Sequence, residues 1–192
     1  MEERLQGNPV SEGIAYAKSY IYIPGTLTKA PEFFPKGQEE EKYREFRESC
    51  EKADSELVTL YNGMCKEDPD KAKIFSAHRE LLQDEEILDE IRETICEENM
   101  NPDSAVSKVY TEFAELLASV EDPLIAERAA DLRDVRDRLL RILSGQETSK
   151  LSSFSEDVIL VAHDLLPSDT ATMDRKHIKG ILTEVGGVNS HS

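Results

Sequence analysis

The sequence predicts an α+β chain in which a four-helix bundle is inserted into an incomplete α/β domain. Strand periodicity marks both ends of the chain, at 14–23, 158–162 and 180–185, whereas the residues from about 43 to 143 repeat at helical spacing. Breaker-rich or polar joints separate the two registers at Pro31 to Gly37 and at Gln146-Glu147. An isolated first strand would have no partner, so the terminal segments must meet in one sheet. The expected division is 1–30 and 147–192 for the α/β domain and 31–146 for the bundle.

In the first element, Ile14 to Ile23, Tyr16, Tyr20 and Tyr22 fall on one side of an extended chain and Ala15, Ala17, Ile21 and Ile23 on the other. Pro24-Gly25 ends it, and Pro31 to Gly37 reads as a linker. Tyr43, Phe46, Cys50, Ala53, Leu57, Leu60 and Met64 then step by three and four residues, the stripe of a long amphipathic helix. A second helix is expected from near Asp70, with Ile74, Phe75, His78, Leu81 and Leu82 inward. Gln83-Asp84-Glu85-Glu86 falls where the next inward residue should be, and the stripe restarts with Ile87, Leu88, Ile91 and Ile95. Asp84 can cap the second half, which predicts a kink or a two-piece helix.

Asn101-Pro102 and Asp122-Pro123 each place a capping residue before a proline suited to the first helical position. The first opens a helix with Val106, Val109, Tyr110, Phe113, Leu116, Leu117 and Val120 inward; the second opens one with Ile125, Ala129, Leu132, Val135, Leu139, Leu140 and Leu143 inward, closed by Ser144-Gly145. Val158 to Ala162 and Gly180 to Val185 are short apolar runs of buried-strand type. Between them, residues 164–169 read as a loop into a short helix at Thr170 to Met173.

Composition narrows the partners. A formal charge of −17 over 192 residues repels polyanions and disfavours nucleic acid and anionic membrane. No apolar run reaches spanning length, and the N-terminus lacks the pattern of a signal peptide, so the expected compartment is the cytosol. Cys50, Cys65 and Cys96 are odd in number and lie in helical patterns without neighbouring histidines, which reads as neither a disulfide framework nor a zinc site.

The chemistry-bearing stretch is Gly186-Gly187-Val188-Asn189-Ser190-His191. Paired glycines after a strand allow close backbone approach, and unpaired N–H groups at a helix mouth bind phosphate and favour a neutral imidazole. From local context alone, His191 can be a structural residue, a metal ligand or a nucleophile. His78 reads locally as a satisfied core or groove histidine. The run DLRDVRDRLLR reads mainly as solvated face and intrahelical pairing, although Arg128 and Arg133 are cations suited to a phosphoryl group.

Three stretches resemble the N-terminal phosphohistidine region of enzyme I, the phosphoenolpyruvate-protein phosphotransferase of the bacterial sugar phosphotransferase system. VILVAHDLLPSDTA resembles its strand and D-L-x-P-S segment, GILTEVGGVNSHS its G-G-x-x-S-H site, and ERAADLRDVRDRLL its last bundle helix; SEGIAYAK is a looser match to its start. The resemblance implies that His191 accepts a phosphoryl group from phosphoenolpyruvate and passes it to a histidine of the small carrier HPr, in a phosphate loop with Gly186, Gly187 and Ser190. It implies that Thr170 steadies the unphosphorylated histidine. It also implies that the bundle is an HPr-docking insertion in a swivelling phosphohistidine domain, with His78, Leu81, Asp84, Glu85, Glu86, Ile87, Arg128 and Arg133 at its contact surface.

No metal is implied at this histidine. The family's Mg²⁺, its phosphoenolpyruvate-binding barrel and its dimer contact belong to a C-terminal part expected beyond Ser192, so this chain alone is expected not to phosphorylate itself from phosphoenolpyruvate. Val188 stands where enzyme I commonly carries arginine and Asn189 where threonine is usual; Pro69 and Ser76 stand where acidic residues help grip the carrier. Two other readings compete: a phosphohistidine domain of the pyruvate phosphate dikinase and phosphoenolpyruvate synthase group, or a non-enzymatic acidic helical interaction module.

Overall fold

A computed structural model of the protein describes residues 7–22, 32–145 and 151–185. The chain divides into two compact units: 1–24 with 148–192, and 25–147. Several sequence expectations lie outside the described residues: Ile23, the Pro24-Gly25 break, Pro31, the joint at Gln146-Glu147 and the whole of 186–192.

The helical unit contains α1 (Glu39–Met64), α2 (Pro69–Leu82), α3 (Glu85–Cys96), α4 (Pro102–Ala118) and α5 (Pro123–Leu143). The expected two-piece helix is present as α2 and α3. Its cause is local: Asp84 has extended backbone, and its carboxylate accepts from the N–H groups of Glu86 (3.0 Å) and Ile87 (3.2 Å). The α2 start uses the same device one residue earlier than expected, since Asp68 accepts from Asp70 and Lys71 and Pro69 takes the first turn. Gly145, at φ +67°, supplies the left-handed residue that closes α5.

The helices α1, α2, α4 and α5 pack on one another, with α3 against α4 and α1. Phe46, Leu57, Phe75, Ile91, Ile95, Val106, Tyr110, Leu132 and Leu139 are fully buried among them. Residues 32–37 do more than link: Phe33 bridges Met100, Phe34 N–H donates to the Asn99 carbonyl (2.9 Å), and the Phe34 ring is buried. Leu116, Val120 and Ile125 depart from their expected inward positions, with exposures of 62%, 38% and 38%. Val120 already lies beyond α4, which stops at Ala118.

The second unit holds a parallel sheet of order β1-β2-β3: β1 (Lys18–Tyr22), β2 (Val158–Ala162) and β3 (Ile178–Thr183). The terminal segments therefore meet in one sheet. β1 is shorter than the periodicity suggests because its ladder matches only the five residues of β2, Lys18 opposite Val158 and Tyr22 opposite Ala162. Ile14 and Tyr16 are fully exposed instead. β3 begins two residues earlier than expected, where Ile178 pairs with Val158, and its last expected residues bend away as Glu184 and Val185 donate to the His163 carbonyl.

Leu151, Leu160, Ala162 and Leu165 form the core, with Tyr20, Tyr22, Phe154, Met173 and Ile178 packed on it. The short α6 (Pro167–Thr172) starts before Thr170 because Pro167 takes its first position and the Asp169 carboxylate accepts from Leu166 N–H (3.1 Å).

Candidate functional site

The helical unit presents charge where α2 hands over to α3. Gln83, Asp84, Glu85 and Glu86 are consecutive and exposed, and Leu81 is half-buried just before them. Asp84 has two roles available at once, since one carboxylate oxygen caps α3 while the residue remains open to solvent. Glu85 and Glu86 sit in the first turn of α3, where the helix dipole favours negative charge.

Arg128 and Arg133 on α5 are exposed, and neither forms an ion pair among the described residues. The other arginines of that run are committed. Arg136 donates to Asp137 (2.7 Å) and to Thr111 (3.1 Å), and Arg138 and Arg141 both donate to Glu56 of α1. The Arg136–Asp137 pair is the expected intrahelical pairing, but the run is more than solvated face and such pairs: Arg138 is buried because Glu56 of another helix compensates its charge. In a chain of net charge −17, two uncommitted guanidinium groups are chemically conspicuous.

Two of the residues expected at the contact surface are buried. Ile87 is buried on the inner face of α3, and the His78 side chain is fully enclosed. Phe75 meets the His78 ring edge-on at 6.1 Å between centroids. His78 Nε2 lies 3.2 Å from Asp131 Oδ1, and Nδ1 lies 4.0 Å from Asp134 Oδ2, too far for a hydrogen bond. Asp134 is itself almost fully buried. Sequence reasoning missed this arrangement. The signal was available, because an inward histidine requires a polar partner and Asp131 and Asp134 flank the inward Leu132 and Val135.

In the α/β unit the strands' carboxyl ends carry the polar groups. The Tyr22 hydroxyl donates to Asp169 (3.0 Å), and the Thr170 hydroxyl donates to the Pro167 carbonyl (2.9 Å). His163 Nδ1 pairs with Glu184 Oε2 at 2.7 Å, joining the ends of β2 and β3 on an exposed edge. Ligands of open parallel sheets bind outside that edge. From Glu184 and Val185 the chain runs into Gly186, Gly187, Ser190 and His191, which lie outside the described residues.

The cysteines are all free, and burial pushes the Cys50 thiol up to about 12, which makes it unreactive. Among the described residues no group of three or more His, Cys, Asp or Glu side chains can hold a metal ion. These residues therefore do not fit the magnesium that the resemblance assigns to the full-length family.

The family model for the N-terminal region of PEP-utilising enzymes matches residues 6–128, and that for their mobile domain matches 154–192. The chain belongs to the PEP-utilising enzymes. Within this family it is 38% identical over its full length to a phosphoenolpyruvate-protein phosphotransferase of Priestia megaterium. Identity is 35% to that of Staphylococcus aureus strain MRSA252, again over the full chain, and 37% to that of Bacillus subtilis over 99% of it. The chain spans about a third of the length of these curated relatives.

A solution structure of Enzyme I matches 95% of the chain and 74% of its own, with 37% identity and a TM-score of 0.77. A structure of the N-terminal domain of nitrogen Enzyme 1 shares the fold at 24% identity and a TM-score of 0.67, over 95% of this chain and 75% of its own. This PEP-utilising chain is thus of the enzyme I type, a mostly helical fold with a small parallel sheet.

Proposed function

We propose that the chain is the phosphoryl-relay region of an enzyme I: His191 accepts a phosphoryl group that originates in phosphoenolpyruvate and passes it to a histidine of HPr. The observation that carries this reading is the pair of family matches in order, with GGVNSHS inside the mobile-domain match and α1 to α4 with the start of α5 inside the N-terminal one. In the forward step, an imidazole nitrogen bonds to phosphorus as the bond from phosphorus to the enol oxygen of phosphoenolpyruvate breaks, leaving pyruvate enolate to be protonated. In the second step, that nitrogen is the leaving group and the HPr imidazole the acceptor. Both steps ask chiefly for in-line positioning and charge stabilisation.

HPr docks, in this reading, on Leu81, Asp84, Glu85 and Glu86 at the α2–α3 junction and on Arg128 and Arg133 of α5. The uncommitted state of the two arginines supports that role. Thr170 steadies the unphosphorylated His191, and Gly186, Gly187 and Ser190 line the phosphate. No helix among the described residues is long and apolar enough to cross a membrane, in keeping with a cytoplasmic relay.

The test runs the second step backwards. HPr phosphorylated on its histidine is mixed with the chain, and phosphate is located by acid-labile peptide mapping. Label at His191, absent from His191→Ala, is the expected result. An unlabelled wild-type chain overturns the proposal.

A further inference from the structure

We infer that His78 is a positioning residue of the docking surface: it acts from beneath, holding α2 against α5, and does not itself touch the partner. The inference rests on the docking reading above. Its side chain is fully buried on the second half of α2, one turn before Leu81 and Leu82. Its Nε2 meets Asp131 of α5 at 3.2 Å, and Asp131 lies one turn along that helix from the exposed Arg128. That single bond ties the helix carrying Leu81 to the helix carrying both free arginines, and so fixes their separation.

The hydrogen bond requires the proton on Nε2, because the carboxylate can only accept. Nδ1 is buried, has no hydrogen-bond partner among the described residues, and stands 4.0 Å from Asp134. The two nitrogens are therefore unequal: Nε2 joins the helices, whereas Nδ1 holds nothing. A residue acting by contact would need a face open to the partner, and His78 has none. Removing the ring takes from Asp131 the one hydrogen bond it makes among the described residues and leaves two carboxylates, Asp131 and Asp134, without the group between them.

The inequality gives a test that separates positioning from simple filling of space. Glutamine places an amide nitrogen near the position of Nε2, and asparagine near that of Nδ1. HPr is titrated calorimetrically into wild type, His78→Gln, His78→Asn and His78→Ala, with helicity and melting recorded for each. Free and HPr-bound wild type are also treated with diethyl pyrocarbonate and mapped by mass.

The expected result is that His78→Asn and His78→Ala bind about tenfold more weakly, because α2 and α5 are then no longer held at the separation that suits the partner. His78→Gln, folded, binds within about threefold of wild type, and His78 resists modification in both states. The inference is overturned if folded His78→Gln binds as weakly as His78→Ala, if His78→Ala binds like wild type, or if His78 is modified when free and protected when bound. Failure of wild type to bind HPr overturns the docking reading itself, and this inference with it.

Discussion

Asp174 shows how one carboxylate can organise a turn. It lies between α6 and β3, where its Oδ2 is 2.7 Å from His177 Nδ1 and accepts from Phe154 N–H (3.0 Å), while Oδ1 accepts from the N–H groups of Lys176 (3.1 Å) and His177 (3.3 Å). The His177 ring, then the backbone donor of Phe154, hold its carboxyl well below the usual carboxylate range, against the opposing effect of burial. A folded value below the unfolded one means that the stabilisation is present above the ordinary aspartate value of about 3.9 and is lost as pH falls toward the folded value. The urea midpoint of the α/β unit, followed through exchange of β2 amides, is therefore expected to fall below about pH 4 more steeply in wild type than in Asp174→Asn. Parallel pH profiles for the two proteins would contradict this account.

At the scale of elements, the α2–α3 junction allows a structural role to be separated from the proposed docking one. Asparagine caps nearly as well as aspartate, whereas alanine cannot accept the two N–H groups. Asp84→Ala is expected to cost about 1 kcal/mol in urea unfolding, and Asp84→Asn only a few tenths. Asp84→Asn nevertheless removes the charge, so it should weaken HPr docking while melting like wild type. Equal docking by wild type and the asparagine variant would reduce Asp84 to a cap. This junction was legible in the sequence because four polar residues interrupt an apolar stripe at 83–86. The exposure of Leu116 and Ile125 was not, since periodicity says which side of a helix faces inward but not how far the neighbouring helices extend. The start of β3 was missed for a similar reason: an apolar run does not contain the register of its partner strand.

Across the whole molecule, the candidate chemistry and the architecture rest on different kinds of residue. Gly186 to His191 leave the histidine a structural residue, a metal ligand or a nucleophile from local context, and the resemblance to enzyme I is what implies phosphate handling. The buried His78–Asp131 pair is defined by two helices far apart in sequence, and no local window contains both. The two units also differ in how much they bury. The helical unit encloses large side chains from all five of its helices, including Phe46, Phe75, Ile91, Tyr110 and Leu139. Among the described residues the α/β unit rests on a small core of Leu151, Val158, Leu160, Ala162 and Leu165 with partly buried neighbours, under a sheet of three short strands, with Ile21 and Leu182 exposed. Each fully buried large apolar side chain contributes about 1.5–3 kcal/mol, so resistance to opening should follow this difference. Native-state hydrogen exchange in low urea is expected to show the amides of Val158 to Ala162 opening at lower free energy than those of Ile91, Val106 and Leu139. Convergence of both sets on one opening free energy and one urea dependence would mean instead that the sheet and the helices unfold together.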